Sequence, residues 1–233
     1  MSTRHLAGSG RAEILAAATR EFADRGYAGA TTAGIARLAG VTQPLVHHHF
    51  GSKQGLWKAV TEALIQEFHE AMSRAKGEVE GADRVTRLAH LLRASVLFNG
   101  SHPEFSRIIR NESSAGGEAF EALFAMLRPG PLSFFQRELS AAVEDGTVQS
   151  IDSRHAYFAI IGATNQPFAE PETARRIWGL DVKDERFISQ YADLVVSMVL
   201  RGLLAAPASP PPPRNAPARK KRPAARKPRR GQD

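Results

Sequence analysis

Apolar residues recur at helical spacing along most of this chain. After Arg11, Ile14, Ala18 and Phe22 fall at i, i+4 and i+8 with Leu15 beside them, while Arg20, Glu21 and Asp24 take the other face. Gly26 is the expected stop, and Tyr27 begins the link. Thr31 then caps a second helix whose buried stripe reads Ile35, Leu38 and Ala39 up to Gly40. Gly34 inside it costs about 1 kcal/mol relative to alanine, so it is either offset by packing or leaves room for a close neighbour. Thr42 or Gln43 caps a third helix, with Pro44 in the first turn, where a missing N–H is harmless. Ser52 caps a fourth, which runs through Leu56, Trp57, Val60, Leu64, Ile65 and Phe68 and fades near Gly77 and Gly81.

The remainder continues the helical period. Val85, Leu88, Leu92 and Val96 mark a helix over 83–98, Pro103 starts another to Ser113, and Phe120, Leu123, Phe124 and Leu127 mark a third over 118–127. Pro129 and Pro131 interrupt the chain before the stripe Leu132, Phe135, Leu139 and Val143, which stops at Asp145 and Gly146. Asp152 or Ser153 caps a helix that is apolar nearly all round, with small residues at Ala156, Ala159, Gly162 and Ala163. A last helix of the same character covers about 185–205. Helices without a polar face need cover on more than one side, so those near 131–145, 152–168 and 187–205 are expected to include a dimer interface. The fold class is all-α.

Composition qualifies this picture mainly through charge. The formal net charge is +7, but from Ala205 onward nine Lys or Arg face one acid, whereas the preceding 22 basic and 23 acidic residues leave the body at −1. The basicity therefore belongs to a Pro-, Lys- and Arg-rich tail, 206–233, expected to be disordered, and does not argue that the folded part binds nucleic acid. Such a tail suits salt-sensitive, sequence-independent DNA affinity or simple solvation. Residues 1–10 are expected to form a flexible arm. The absence of cysteine excludes thiolate ligands, disulfides and a cysteine nucleophile, and fits a reducing cytoplasm. The apolar stretch from Leu194 to Ala206 is broken by Arg201 and too short for a bilayer, so no membrane span or secretory signal is expected.

Residues 31–53, TTAGIARLAGVTQPLVHHHFGSK, read as two short helices joined by a tight turn, a helix-turn-helix unit. With the preceding phrase EFADRGY and the following SK, they resemble the N-terminal domain of the TetR family of transcriptional regulators over about residues 11–57. The resemblance implies an all-helical homodimer with a three-helix DNA-binding domain at 11–57 that binds a palindromic operator. It also implies an effector-binding and dimerisation domain at 58–205. In helical projection Gln43, Pro44, His47 and His48 share one outward arc and His49 lies nearer the buried side. Gln43, Pro44 and His48 suit base edges, while His47, His49, Thr31, Thr32 and Lys53 suit phosphates, with Thr42 at the same end of the helix. Ala33 and the His47–His48 pair depart from side chains common in the family.

Other chemistries fit less well. Three consecutive helical histidines diverge too widely to share a metal ion, and no nucleophile turn such as GxSxG is present. No cofactor, metal site or catalytic group is expected, and the chain is not read as an enzyme. Nine of the twelve phenylalanines lie between residues 98 and 187, which suits a lipophilic effector cavity. The candidate lining is Phe98, Asn99, Phe105, Ile109, Arg110, Phe120, Phe124, Phe158 and Asn165, with Glu112 and Gln166 as further polar candidates. The function expected is a ligand-responsive repressor with double-stranded DNA, a second copy and an unidentified small molecule as partners. The alternatives are an activator or architectural DNA-binder relying on the basic tail, and, less favoured, an enzyme on the same fold.

Overall fold

Eleven helices and no strand make up residues 3–128 and 133–204, which the computed structural model describes. They are α1 (Thr3–Gly29), α2 (Thr32–Ala39), α3 (Gln43–Phe50), α4 (Lys53–Glu78), α5 (Arg84–Ser101), α6 (Pro103–Ala115), α7 (Glu118–Leu127), α8 (Ser133–Glu144), α9 (Ser153–Ala169), α10 (Pro171–Trp178) and α11 (Glu185–Leu204). The basic tail, the break at Pro129 and Pro131, and the side chains of Leu132 and Phe135 in the expected stripe lie outside the described residues.

Most expected signals operate locally. Thr31 Oγ1 accepts the Gly34 N–H at 3.0 Å, Ser52 Oγ accepts that of Gly55 at 3.0 Å, and Asp152 accepts that of Arg154 at 2.9 Å. Gly40 closes α2 in the left-handed conformation, with the Val41 N–H returning to the Ala36 carbonyl at 3.0 Å. Thr42 holds the N-cap position of α3, although its side chain makes no capping bond there. Gly34 has a reason: a Cβ there would lie 3.0 Å from Thr31 Oγ1 and 3.1 Å from the buried Glu21 carboxylate. Gly55 is under a harder constraint, since a Cβ would meet the Phe50 carbonyl oxygen at 2.2 Å.

Three expectations change. α1 begins at Thr3, eight residues before Arg11; Gly8 and Gly10 weaken a helix without forbidding it. On α2 Ile35 and Ala36 are buried while Leu38 is 56% exposed, because Ile35, Ala36 and the half-buried Ala39 form one arc and Leu38 falls off its edge. α10 was not expected, since Ala174 is the one residue it buries and the period is too short to read.

Packing does not pause at residue 57. One buried cluster runs from Ile14, Phe22 and Ile35 through Trp57 and Leu64 to Phe98, Phe105, Ile108 and Leu127. In it Phe22 and Tyr27 meet Trp57 edge-on at 4.9 and 5.4 Å between centroids. Two smaller clusters hold the far end, one around Leu88, Leu139 and Ile160 and the other around Val96, Phe168, Ile188 and Val195. α11 is long and apolar enough to meet the dimensions of a bilayer span, but Ile188, Ala192, Val195 and Leu203 turn one side of it inward. α5 approaches it so closely that a Cβ on Gly100 would stand 2.6 Å from the Ile188 side chain.

The joint between the two ends of the molecule is polar and buried. Gly26 breaks α1 with φ 67° and ψ 174°, which frees backbone N–H groups from the helical ladder. The Glu112 carboxylate of α6, 3% exposed, accepts the Tyr27 N–H at 2.7 Å. Asn111 donates to the Ala23 carbonyl at 2.9 Å, and Arg107 pairs with Asp24. Glu112 is thus neither a surface charge nor a cavity group. Replacing a buried acceptor leaves its donor unsatisfied, so Glu112→Ala should lower unfolding free energy by about 1–3 kcal/mol, read by urea denaturation.

Candidate nucleic-acid interface and interior cavity

The turn between α2 and α3 lays out an exposed surface. Thr42, Gln43, Pro44, His47 and His48 are all exposed, with Val46 buried behind them. Gln43 Nε2 donates to Thr32 Oγ1 at 3.1 Å and faces His47 Nε2 at 3.5 Å. His47 Nδ1 lies 3.1 Å from the Gly51 carbonyl, which only accepts, so in the neutral ring the hydrogen sits on Nδ1. A neutral His47 has no second N–H for a phosphate. In that tautomer its Nε2 faces the Gln43 amide and helps to steady it.

His49 is also corrected. Its Nε2 is buried without a partner among the described residues, under α1 where Gly10 passes. One residue's 100° rotation from His48 suffices to turn it inward. Thr31, exposed, and Thr32, half-buried, stand at the start of α2. Lys53 stands at the first turn of α4, its ammonium 4.6 Å from the Tyr27 ring centroid and 3.3 Å from the Ala28 carbonyl. Tyr27 therefore positions Lys53. The sequence hinted at this only by placing an aromatic residue after Gly26.

The second feature is an interior cavity of about 370 Å³ between α4, α5, α6, α7 and α9. Phe68 and Met72 wall it from α4, Phe105 and Ile109 from α6, and Phe120, Leu123 and Phe124 from α7. α9 adds Tyr157, Phe158, Ile160, Ile161, Thr164 and Asn165, and α5 adds Leu91, Leu92, Ser95 and Asn99. Burial raises the Tyr157 phenol above its ordinary range, which keeps the group neutral.

Seven of the expected lining residues are brought together there: Asn99, Phe105, Ile109, Phe120, Phe124, Phe158 and Asn165. Phe98 and Arg110 are not among them. Phe98 turns toward α4 and stacks on His102 at 4.5 Å, and Arg110 reaches outward to Glu170 at 3.7 Å. Gln166 is exposed. Residues missed in the sequence, such as Leu91, Ile161 and Thr164, carry no local mark that separates a cavity wall from a core.

Asn99 organises the polar end. Its Nδ2 donates to the Ser95 carbonyl at 2.9 Å and to Asn165 Oδ1 at 2.5 Å, with the Thr164 carbonyl at 3.4 Å, and its Oδ1 accepts from the Ser106 hydroxyl at 2.9 Å.

These features define a class, an all-helical chain with a helix-turn-helix at one end and an apolar cavity beyond it. Residues 14–60 match the model of bacterial regulatory proteins of the tetR family, and 105–209 match the tetracyclin repressor-like C-terminal domain. Together they cover well over half of the sequence, and the chain belongs to the TetR family of DNA-binding transcriptional regulators. It is 38% identical over 90 residues to the transcriptional regulator TtgR of Pseudomonas putida, a match spanning 39% of this chain and only 42% of that protein. It is 26% identical over 195 residues to the regulator RutR of Escherichia coli, covering 82% and 88% of the two chains. Among solved structures, AibR in complex with isovaleryl coenzyme A and operator DNA shares the fold with a TM-score of 0.64. That match has 23% identity and covers 81% of this chain and 97% of AibR.

Removing Asn99 strips partners from Asn165 and from the buried Ser106 hydroxyl together. Asn99→Leu should therefore destabilise the fold by about 1–3 kcal/mol, checked by chemical denaturation.

Proposed function

We propose that this chain is a ligand-responsive repressor of the bacterial cytoplasm that binds a palindromic operator as a homodimer and takes its effector in the interior cavity. The observation that carries this reading is the double role of α6. Phe105, Ile109 and Ser113, at i, i+4 and i+8, wall the cavity, while Arg107, Asn111 and Glu112 on another face grip α1 beside the helix-turn-helix. A molecule that displaces α6 acts on the seat of the DNA-reading unit, and it shifts the population of DNA-competent dimers by as much as it prefers one arrangement. AibR, crystallised with both an acyl coenzyme A and operator DNA, offers a parallel for two ligands on one such fold.

In this reading α3 enters the major groove, with successive grooves about 34 Å apart for the two copies. Gln43, Pro44 and His48 face bases, and Thr31, Thr32 and Lys53 hold phosphates, with Thr42 at the rim. His47 acts through Gln43. Lys53 combines a fixed ammonium with the N-terminus of α4, an arrangement that favours an anion. Operator sites selected from random DNA provide the test. Lys53→Ala should weaken binding to every sequence and lower the salt dependence by about one phosphate contact. Gln43→Ala should relax preference at one position by about 1–3 kcal/mol. Unchanged selectivity after Gln43→Ala would remove that residue from base reading.

The second copy is inferred from apolar surface. Phe158 is 74% exposed on α9, Leu194 and Met198 are 52% and 64% exposed on α11, and Ala159 and Gly162 leave α9 smooth between them. Leu194→Arg combined with Met198→Glu should give a monomer in equilibrium sedimentation at micromolar concentration, where the unaltered chain sediments as a dimer. A monomeric unaltered chain would overturn the dimer.

A further inference from the structure

We infer that the cavity selects uncharged, lipophilic molecules carrying a hydrogen-bond acceptor, which the side-chain amide of Asn165 receives. This deepens the effector reading above and rests on the same cavity.

The orientation of Asn165 follows from its neighbours. The Ser95 and Thr164 backbone carbonyls face one end of the Asn99 amide, and a carbonyl only accepts, so that end is the NH₂. The Asn165 atom lying 2.5 Å from this NH₂ must then be its oxygen. The Asn165 NH₂ is left over. Among the described residues it has no hydrogen-bond partner, although Asn165 is half-buried and lines the cavity. The Thr164 hydroxyl nearby is already committed to the Ile161 carbonyl at 3.2 Å. A half-buried donor without a partner favours any ligand that brings an acceptor.

The same walls reject charge. Among the described residues, no Lys, Arg, His, Asp or Glu lines the cavity. The three charged groups adjacent in sequence to its α6 wall are occupied elsewhere, Glu104 with Lys183, Arg110 with Glu170 and Glu112 with the Tyr27 N–H. A carboxylate entering among Phe105, Phe120, Phe124 and Ile160 would lose its hydration and gain no cation in exchange. An alkane or plain arene fits the walls but leaves the Asn165 donor unused. A ketone, ester or ether of the same shape satisfies both demands.

A matched trio of arenes separates these cases: naphthalene, 2-acetylnaphthalene and 2-naphthoate, each titrated into the full-length protein by calorimetry without DNA. The ketone should bind about tenfold tighter than naphthalene and at least tenfold tighter than the carboxylate. Asn165→Leu should bring the ketone down to the level of naphthalene while naphthalene itself is held as before. Asn165→Asp, which keeps an oxygen for Asn99, should also abolish the advantage of the ketone, and melting curves of both variants report whether the fold is retained. The inference is overturned if 2-naphthoate binds as well as the ketone, if folded Asn165 variants keep the ketone's margin, or if none of the three binds. Because no operator is present, failure here leaves the DNA-regulator reading standing, and failure to select an operator leaves this result intact.

Discussion

A buried carboxylate, with no cation beside it among the described residues, holds the two halves of this molecule in register. Gly26 opens the helical ladder of α1, and the Tyr27 N–H exposed by that opening is met by Glu112 from 85 residues away in sequence. The desolvation of a buried carboxylate is costly, so an acceptor placed this way is tolerated only where the donor is fixed. Here the donor is fixed by a glycine in the left-handed region, and a Cβ at that position would lie 3.3 Å from the same carboxylate oxygen. Kink and clamp depend on each other.

The clamp matters because of what surrounds it. Tyr27, whose N–H is bound, also carries its ring against Trp57 and beneath the Lys53 ammonium. A shift of α6 is therefore felt at once by the aromatic core of the N-terminal helices and by the charge at the head of α4. Cores packed at crystal-like density do not absorb such shifts gradually. On its other face α6 meets a cavity that its own Phe105 and Ile109 help to shape, so a single helix answers to two environments with opposite chemistry, one polar and closed, the other apolar and roomy.

Much of this was legible in the residues. The caps at Thr31, Ser52 and Asp152, the stops at Gly26 and Gly40 and the outward arc of Gln43, Pro44, His47 and His48 follow from local chemistry, and local chemistry can be read along a chain. What could not be read depends on distant partners. Glu112 looked like a ligand group or a surface charge because its acceptor role is defined by a backbone N–H of another helix. Phe98 and Phe105 are equally aromatic and lie seven residues apart, yet one faces α4 and the other the cavity. The contact of His47 with the Gly51 carbonyl likewise depends on where the chain turns after α3. α10 buries too little for its period to show.

The hydrogen bonds of Gln43 carry a consequence for selectivity. Both hydrogens of its amide already point at neighbours, toward Thr32 and His47, whereas its oxygen has no donor from the described residues. A base edge that offers an amino group, as adenine and cytosine do in the major groove, meets that oxygen without disturbing anything. An edge that offers only acceptors, as guanine does, must first draw the NH₂ away from two existing contacts. In the docking proposed above, the helix would come to DNA with an unequal scale of costs among the four bases, and that inequality would be set by Thr32 and His47.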